Sequence, residues 1–280
     1  MSARVHVVTD STAGLSADEV ERLGITVVPL QVIIGGVSYD EGAATSETVA
    51  EALKVWTPVS TSRPSPHAFS EVYRACAAAG ADEVVSIHLS GDMSGTFESA
   101  MIGAKESPVP VRHIDARSIG MGLGFPVLAA ASAAQAGADA DAVEEAAKAR
   151  IARMSSFFYV DTLEYLRRGG RIGAAQALLG TALSVKPLLT IADGRIVPLE
   201  KVRTSARAIA RLADIAVDKA GDSPVDLAVH HLGNLSKAEA LATGLAERVP
   251  GAGDVMVRDV GAVIGAHVGP GLLAVVVSPR

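Results

Sequence analysis

The chain has 280 residues, 49% of them hydrophobic but only 4% aromatic, and a formal net charge of −6. This length calls for two domains or one large α/β domain, and the aliphatic composition suits α/β packing and smooth apolar cavities. The negative charge argues against general affinity for nucleic acid or anionic lipid, and a single cysteine, Cys76, excludes an internal disulfide and a cysteine-only metal site and suits the reducing cytoplasm.

The opening "MSARVHVVTD" runs straight into a strand-like segment at residues 4–8, without the pattern of a secretory signal. A helix follows in "LSADEVERLG", with Ser16 as N-cap and Glu19 as its capping-box partner. "ITVVPLQVII" reads as a second strand, "GGVSYDEG" as a turn or hairpin, and "TSETVAEALKV" as another capped helix. After the loop "TPVSTSRPSPH" come the helix "AFSEVYRACAAAG", the strand "DEVVSIHLS", a loop entering a helix in "GDMSGTFESAMIGAKES", and the strand "VPVRHIDA". Residues 118–138 carry no charge and are long enough to span a bilayer. Dominance of Ala and Gly, with Pro126 and Gln135, favours a helix buried on most sides instead, so no transmembrane segment is expected. The Ala-, Glu- and Lys-rich segment 139–154 is a further helix.

This β-α-β-α order predicts a largely parallel sheet in an N-terminal α/β domain, residues 1–155. Residues 156–280 change to an α+β pattern with a mixed sheet. "SSFFYV", "PLLTIA" and "RIVPLEKV" are strands, the last two joined by a two-residue turn at Asp193-Gly194. The helices 205–221 and 236–249 alternate with the strands "VDLAVHHLG", "DVMVRDVG" and "GLLAVVVSP".

Loops after strands gather free amides and helix N-termini, which makes them the usual ligand sites of α/β sheets. Four here are rich in hydroxyls: Asp10, Ser11 and Thr12; Ser60, Thr61 and Ser62; Ser90, Ser94 and Thr96, with Gly95 between the last two; and Asp115 with Ser118. Turn and cap chemistry explains any one of them; four in one sheet are harder to dismiss. "GMGLG" at Gly120–Gly124 has the wrong spacing for a dinucleotide fingerprint, and no Walker lysine occurs, so its glycines, Gly122 included, read as places where a helix backbone comes close to a ligand or a strand. The seven histidines lack metal-ligand spacing, and no metal is expected. A hydrolytic triad of Ser94, His267 and Asp10 or Asp115 stays open, although no G-x-S-x-G elbow is present. Between Arg167 and Arg211 nine basic residues face two acids, a local +7 in a chain whose remainder is −13. That excess is either a solvated surface or a dock for phosphate or an acidic partner.

Taken together, "VTDSTAGLS", "TSRPSP", "SGTFESA", "YVDTLEYLRRGGRIG", "SVKPLLTIADGRIVPLEKVRT" and "HVGPG" resemble, in order and spacing, the DegV family of bacterial lipid-binding proteins over nearly the whole chain. The resemblance implies a two-domain α/β protein that encloses one long-chain fatty acid between its domains and needs no cofactor. It implies a non-catalytic, acyl-binding subunit of bacterial fatty acid kinase, which presents the carboxylate to a separate ATP-using catalytic subunit and carries the acyl phosphate into phospholipid metabolism, with an acyltransferase at the membrane as a further partner. The family's carboxylate-binding positions correspond to Thr61, Ser94 and His267, with Ser62, Gly95, Thr96, Ser118 and Gly122 in the surrounding loops. Arg171 corresponds to the arginine at the mouth of the site, and Arg168, Lys201 and Arg203 join it as candidates for phosphate or partner docking. Val268 and Gly91 replace a threonine and a serine usual in the family. A serine esterase or thioesterase using Ser94 and His267, and a lipid-sensing regulator, are the alternatives.

Overall fold

The computed structural model describes residues 4–178 and 186–280; Ser184 and Val185, which open the motif "SVKPLL", lie outside them. The chain divides into two compact units, one formed by residues up to Gln31 with Ser62–Ala152, the other by Val32–Thr61 with Arg153–Arg280. The sequence suggests one boundary near residue 155, and the excursion of residues 32–61 into the second unit has no compositional mark.

β1 (Val5–Asp10) leads through a tight turn to α1 (Ala17–Leu23), whose expected capping box is present, Ser16 Oγ accepting from Glu19 N–H and the Glu19 carboxylate from Ser16 N–H. The run expected as one strand is two, β2 (Thr26–Val28) and β3 (Gln31–Ile34), because Pro29 has no N–H to continue a ladder. β3 turns through Gly35 and Gly36, both at positive φ, into β4 (Val37–Asp40). α2 (Ser46–Lys54), capped by Thr45, follows, then β5 (Val59–Ser62), a strand inside what reads as a loop. α3 (Pro66–Ala78) starts with Ser65 as N-cap and Pro66 in its first turn. β6 (Glu83–His88), α4 (Thr96–Gly103), β7 (Val111–Asp115), α5 (Met121–Gln135) and α6 (Ala140–Arg153) complete the first unit. Its sheet is parallel throughout, in the order β2-β1-β6-β7. Phe69, Tyr73 and Cys76 of α3 pack with Val8, Val28 and Val84 of the sheet.

α5 is the uncharged helix, buried from Met121 to Val127. Its fifteen residues are fewer than a bilayer requires, and among the described residues no helix is long and apolar enough to cross a membrane. The glycines before and within it serve packing. Gly120 has φ 63° and donates to Thr12 O, and a Cβ on Gly124 would lie 2.4 Å from Ala13 O.

The second unit continues with β8 (Ser155–Tyr159), α7 (Glu164–Arg168), β9 (Lys186–Ala192), β10 (Arg195–Val202), α8 (Ser205–Ala220), β11 (Val225–His231), α9 (Leu235–Arg248), β12 (Met256–Asp259), α10 (Gly261–Val268) and β13 (Leu273–Pro279). Its large sheet, β10-β9-β8-β13-β11-β12, is mixed: only β11 and β12 are parallel. Asp193 and Gly194, both at positive φ, form the expected two-residue turn. Leu273, Val275 and Val277 belong to the core under α8 and α9, so that face of β13 is ordinary packing. A small sheet, β4-β3-β5, completes the unit.

Candidate functional site

α10 begins with two carboxylates on its N-terminal amides, Asp259 Oδ1 accepting from Gly261 N–H and Glu41 Oε1 from Val263 N–H, both at 2.8 Å. Its small residues let it lie against α2: Ala262 and Ala266 share one apolar cluster with Val49, Leu53 and Val32. His267 falls in the last turn. Gly269 then takes φ 73°, and a Cβ there would sit 2.0 Å from the Tyr165 ring. Gly271, at φ 95°, faces the Asp161 carboxylate just as closely. The "HVGPG" spacing is thus a close packing requirement as well as a turn.

β5 brings Thr61 to His267, and a 2.8 Å hydrogen bond joins Thr61 Oγ1 to Nε2. On the other side of the ring, Gly169 comes so close that a Cβ would lie 2.2 Å from Nδ1. Nδ1 is buried and has no hydrogen-bond partner among the described residues. Burial, with the Arg171 guanidinium adding to it, brings the imidazole down to about 4, so it is neutral near pH 7. α7 ends in a pair of bonds, Arg171 N–H to Leu166 O and Gly170 N–H to Arg167 O, with Gly170 at φ 72°. The double glycine of "RRGGRIG" therefore has two jobs: Gly169 makes room for His267, and Gly170 reverses the chain so that Arg171 comes back beside it.

Thr61, His267, Arg171 and Arg168 line one cleft of about 410 Å³, with Ser60, Tyr165 and Trp56. Arg168 Nε donates to Glu164 Oε1 at 2.7 Å, and the guanidinium lies 4.7 Å from the Trp56 ring centroid. Arg167 pairs with the same Glu164, and the two arginines hold that carboxyl down at about 2. Four of the residues singled out from sequence thus meet in one place. Trp56 was not among them; as the chain's only tryptophan, between a capped amphipathic helix and a hydroxyl-rich loop, it was the available signal.

The other candidates do not line this cleft. Ser94 Oγ pairs with Thr96 Oγ1 at 2.9 Å and accepts from Thr96 N–H, at the start of α4. Gly95 O accepts from Arg63 Nη1, Ser62 Oγ donates to Arg63 O, and Ser118 O accepts from Ser90 N–H. Gly122 is buried in the first turn of α5. These residues belong to the first unit, Thr61 and the cleft to the second. Lys201 and Arg203 are exposed at the end of β10 and beyond it and do not line the cleft. Arg195 and Arg207 are exposed as well, while Arg211 is tied to Glu200 and Lys186 to Asp161, so part of the +7 segment is neutralised by ion pairs.

The two acids considered for a triad have other bonds. Asp10 Oδ2 accepts from Leu89 N–H and binds His88 Nδ1 at 3.0 Å, His88 Nε2 reaches Ser86 Oγ, and Ser86 reaches Tyr73, all fully buried. Asp115 accepts from the N–H groups of Gly91 and Arg117. Among the described residues no group of His, Cys, Asp and Glu could hold a metal ion.

The model of the family described as "Uncharacterised protein, DegV family" matches residues 4–280. A DegV domain-containing protein of Streptomyces coelicolor is 58% identical over 281 residues, covering 100% of both chains. A DegV family protein from Thermus thermophilus, described for its fatty acid binding, shares the fold with a TM-score of 0.93 and 35% identity, over 99% of this chain and 100% of that one. DegV of Bacillus subtilis, described as a fatty acid binding protein, gives 0.90 and 31%, with 100% of both chains covered.

Proposed function

Because the chain belongs to the DegV family, we propose that it binds one long-chain fatty acid and presents the carboxylate to a separate kinase subunit in the cytoplasm. The observation that carries this reading is the hydrogen-bonded Thr61–His267 pair in a cleft that two arginines also line. A hydroxyl and a neutral imidazole can both donate to a carboxylate, which would lose several kcal/mol to desolvation without partners. The family resemblance names Ser94 as a further carboxylate-binding position. A tail of roughly 14 methylenes, at about 0.8 kcal/mol each, contributes on the order of 10 kcal/mol before association costs.

In this reading the chain transfers no phosphoryl group itself. Arg171 faces the head group, and the exposed Lys201, Arg203 and Arg207 meet the kinase or an acyltransferase at the membrane. The esterase reading has less support: His267 lacks an acid at Nδ1 to orient it as a base, and an imidazole titrating at about 4 is a weak one at neutral pH.

Mass spectrometry of ligand released by denaturing the purified recombinant protein tests the proposal. A long-chain fatty acid in near-stoichiometric amount is expected; an empty protein that also fails to take up added fatty acid would overturn it. With the partner kinase, Arg171→Ala should impair acyl phosphate formation more than acyl binding.

A further inference from the structure

Five helices end in the same backbone motif, in which two hydrogen bonds cross over the last turn. At α1 these are Ile25 N–H to Val20 O and Gly24 N–H to Glu21 O, and the same pair recurs around Gly80, Gly137 and Gly170. The residue at the crossing must be left-handed, and four times it is glycine, with φ from 62° to 90°. α2 makes the same two bonds, Thr57 N–H to Ala52 O at 2.9 Å and Trp56 N–H to Leu53 O at 3.2 Å, but with tryptophan at the crossing, at φ 61°.

A bulky side chain in that conformation is strained, and such strain persists where the side chain has a use. Burial is not that use, since Trp56 is 68% exposed. Its partner is the Arg168 guanidinium, which lies over the ring with Cζ 4.7 Å from the centroid and is held at Nε by Glu164. The indole face and the carboxylate hold the guanidinium from two sides, and among the described residues the Arg168 hydrogen bond is made by Nε. Both residues line the cleft that holds Thr61, His267 and Arg171.

A carboxylate offers two oxygens and one charge, which Thr61, His267 and Arg171 can match. A phosphoryl group offers three terminal oxygens and more charge, and suits a second, pre-oriented guanidinium fork. We propose that Trp56 and Arg168 form a second anion-reading element of the cleft that favours the phosphoryl head of an acyl phosphate over the carboxylate of free fatty acid. The proposal rests on the fatty-acid reading above and adds a reason for product retention until an acceptor arrives.

The test compares hexadecanoate with hexadecyl phosphate, which has the same number of carbons and a stable phosphoryl head, by calorimetric titration of the ligand-stripped full chain. Arg168→Ala should narrow the preference for hexadecyl phosphate by about tenfold, the scale of one charge-assisted contact. Trp56→Gly should narrow it too while raising the thermal midpoint, because glycine accepts the left-handed turn without strain; Trp56→Phe should recover most of the preference. An unchanged affinity ratio in Arg168→Ala, or a Trp56→Gly protein with the parental ratio, would overturn the proposal and leave fatty acid binding standing. Parental protein that takes up neither probe would overturn the fatty-acid reading itself.

Discussion

Thr61 and His267 are 206 residues apart, yet each satisfies the other in a half-buried place. Thr61→Val keeps the shape of the side chain and removes the hydroxyl, leaving Nε2 as unpaired as Nδ1 already is. The expected cost is about 1–3 kcal/mol of stability, seen as a lower midpoint in denaturant, together with weaker fatty acid binding. An unshifted midpoint would mean that the hydrogen bond contributes nothing. Both residues were legible through short motifs around them, "TSRPSP" and "HVGPG". Trp56 was not, because its importance lies in a backbone angle and in an arginine 112 positions away, and neither has a signature in residue order.

Capping and turn chemistry made many element boundaries readable: Ser16 with Glu19, Ser65 before Pro66, and Asp193-Gly194 all act locally. β5 and α10 were harder. β5 is four residues of Val, Ser and Thr that gain strand character only by pairing in the small sheet, and α10 is a short run of small apolar residues whose N-terminus is stabilised by Glu41, far away in the chain. The glycine-rich entry to α5 gives an element-scale prediction. Gly124→Ala would bring a Cβ to 2.4 Å from Ala13 O, so α5 or the turn after β1 must move. A loss of about 1–3 kcal/mol is expected in equilibrium unfolding, the reverse of the usual gain from Gly to Ala in a helix.

Buried histidines set the acid response of the whole molecule. Burial brings both His230 and His267 to about 4, and pushes His6 and His113 in the same direction. The unfolded chain takes up these protons near pH 6.5, before the folded one does. Stability is therefore complete above that pH and falls as the pH drops toward 4, by up to roughly 1.4 kcal/mol per pH unit for each histidine. Urea unfolding of wild type and His267→Gln at pH 7, 6 and 5 should show a shallower loss in the variant. Equal slopes would mean that His267 titrates in the folded state as it does in the open chain. A bound carboxylate favours the imidazolium and should flatten the wild-type slope in the same way.

Residue order alone determined the α/β class, the passage to a mixed sheet after residue 154, most helices and strands, and the family, because caps, periodicity and motif spacing are properties of neighbouring residues. Only the tertiary structure decided that residues 32–61 pack with the C-terminal unit, that Asp10 is bonded to His88, and that Gly169 and Trp56 shape the cleft. Those facts depend on packing, backbone strain and desolvation, which arise when distant segments come into contact.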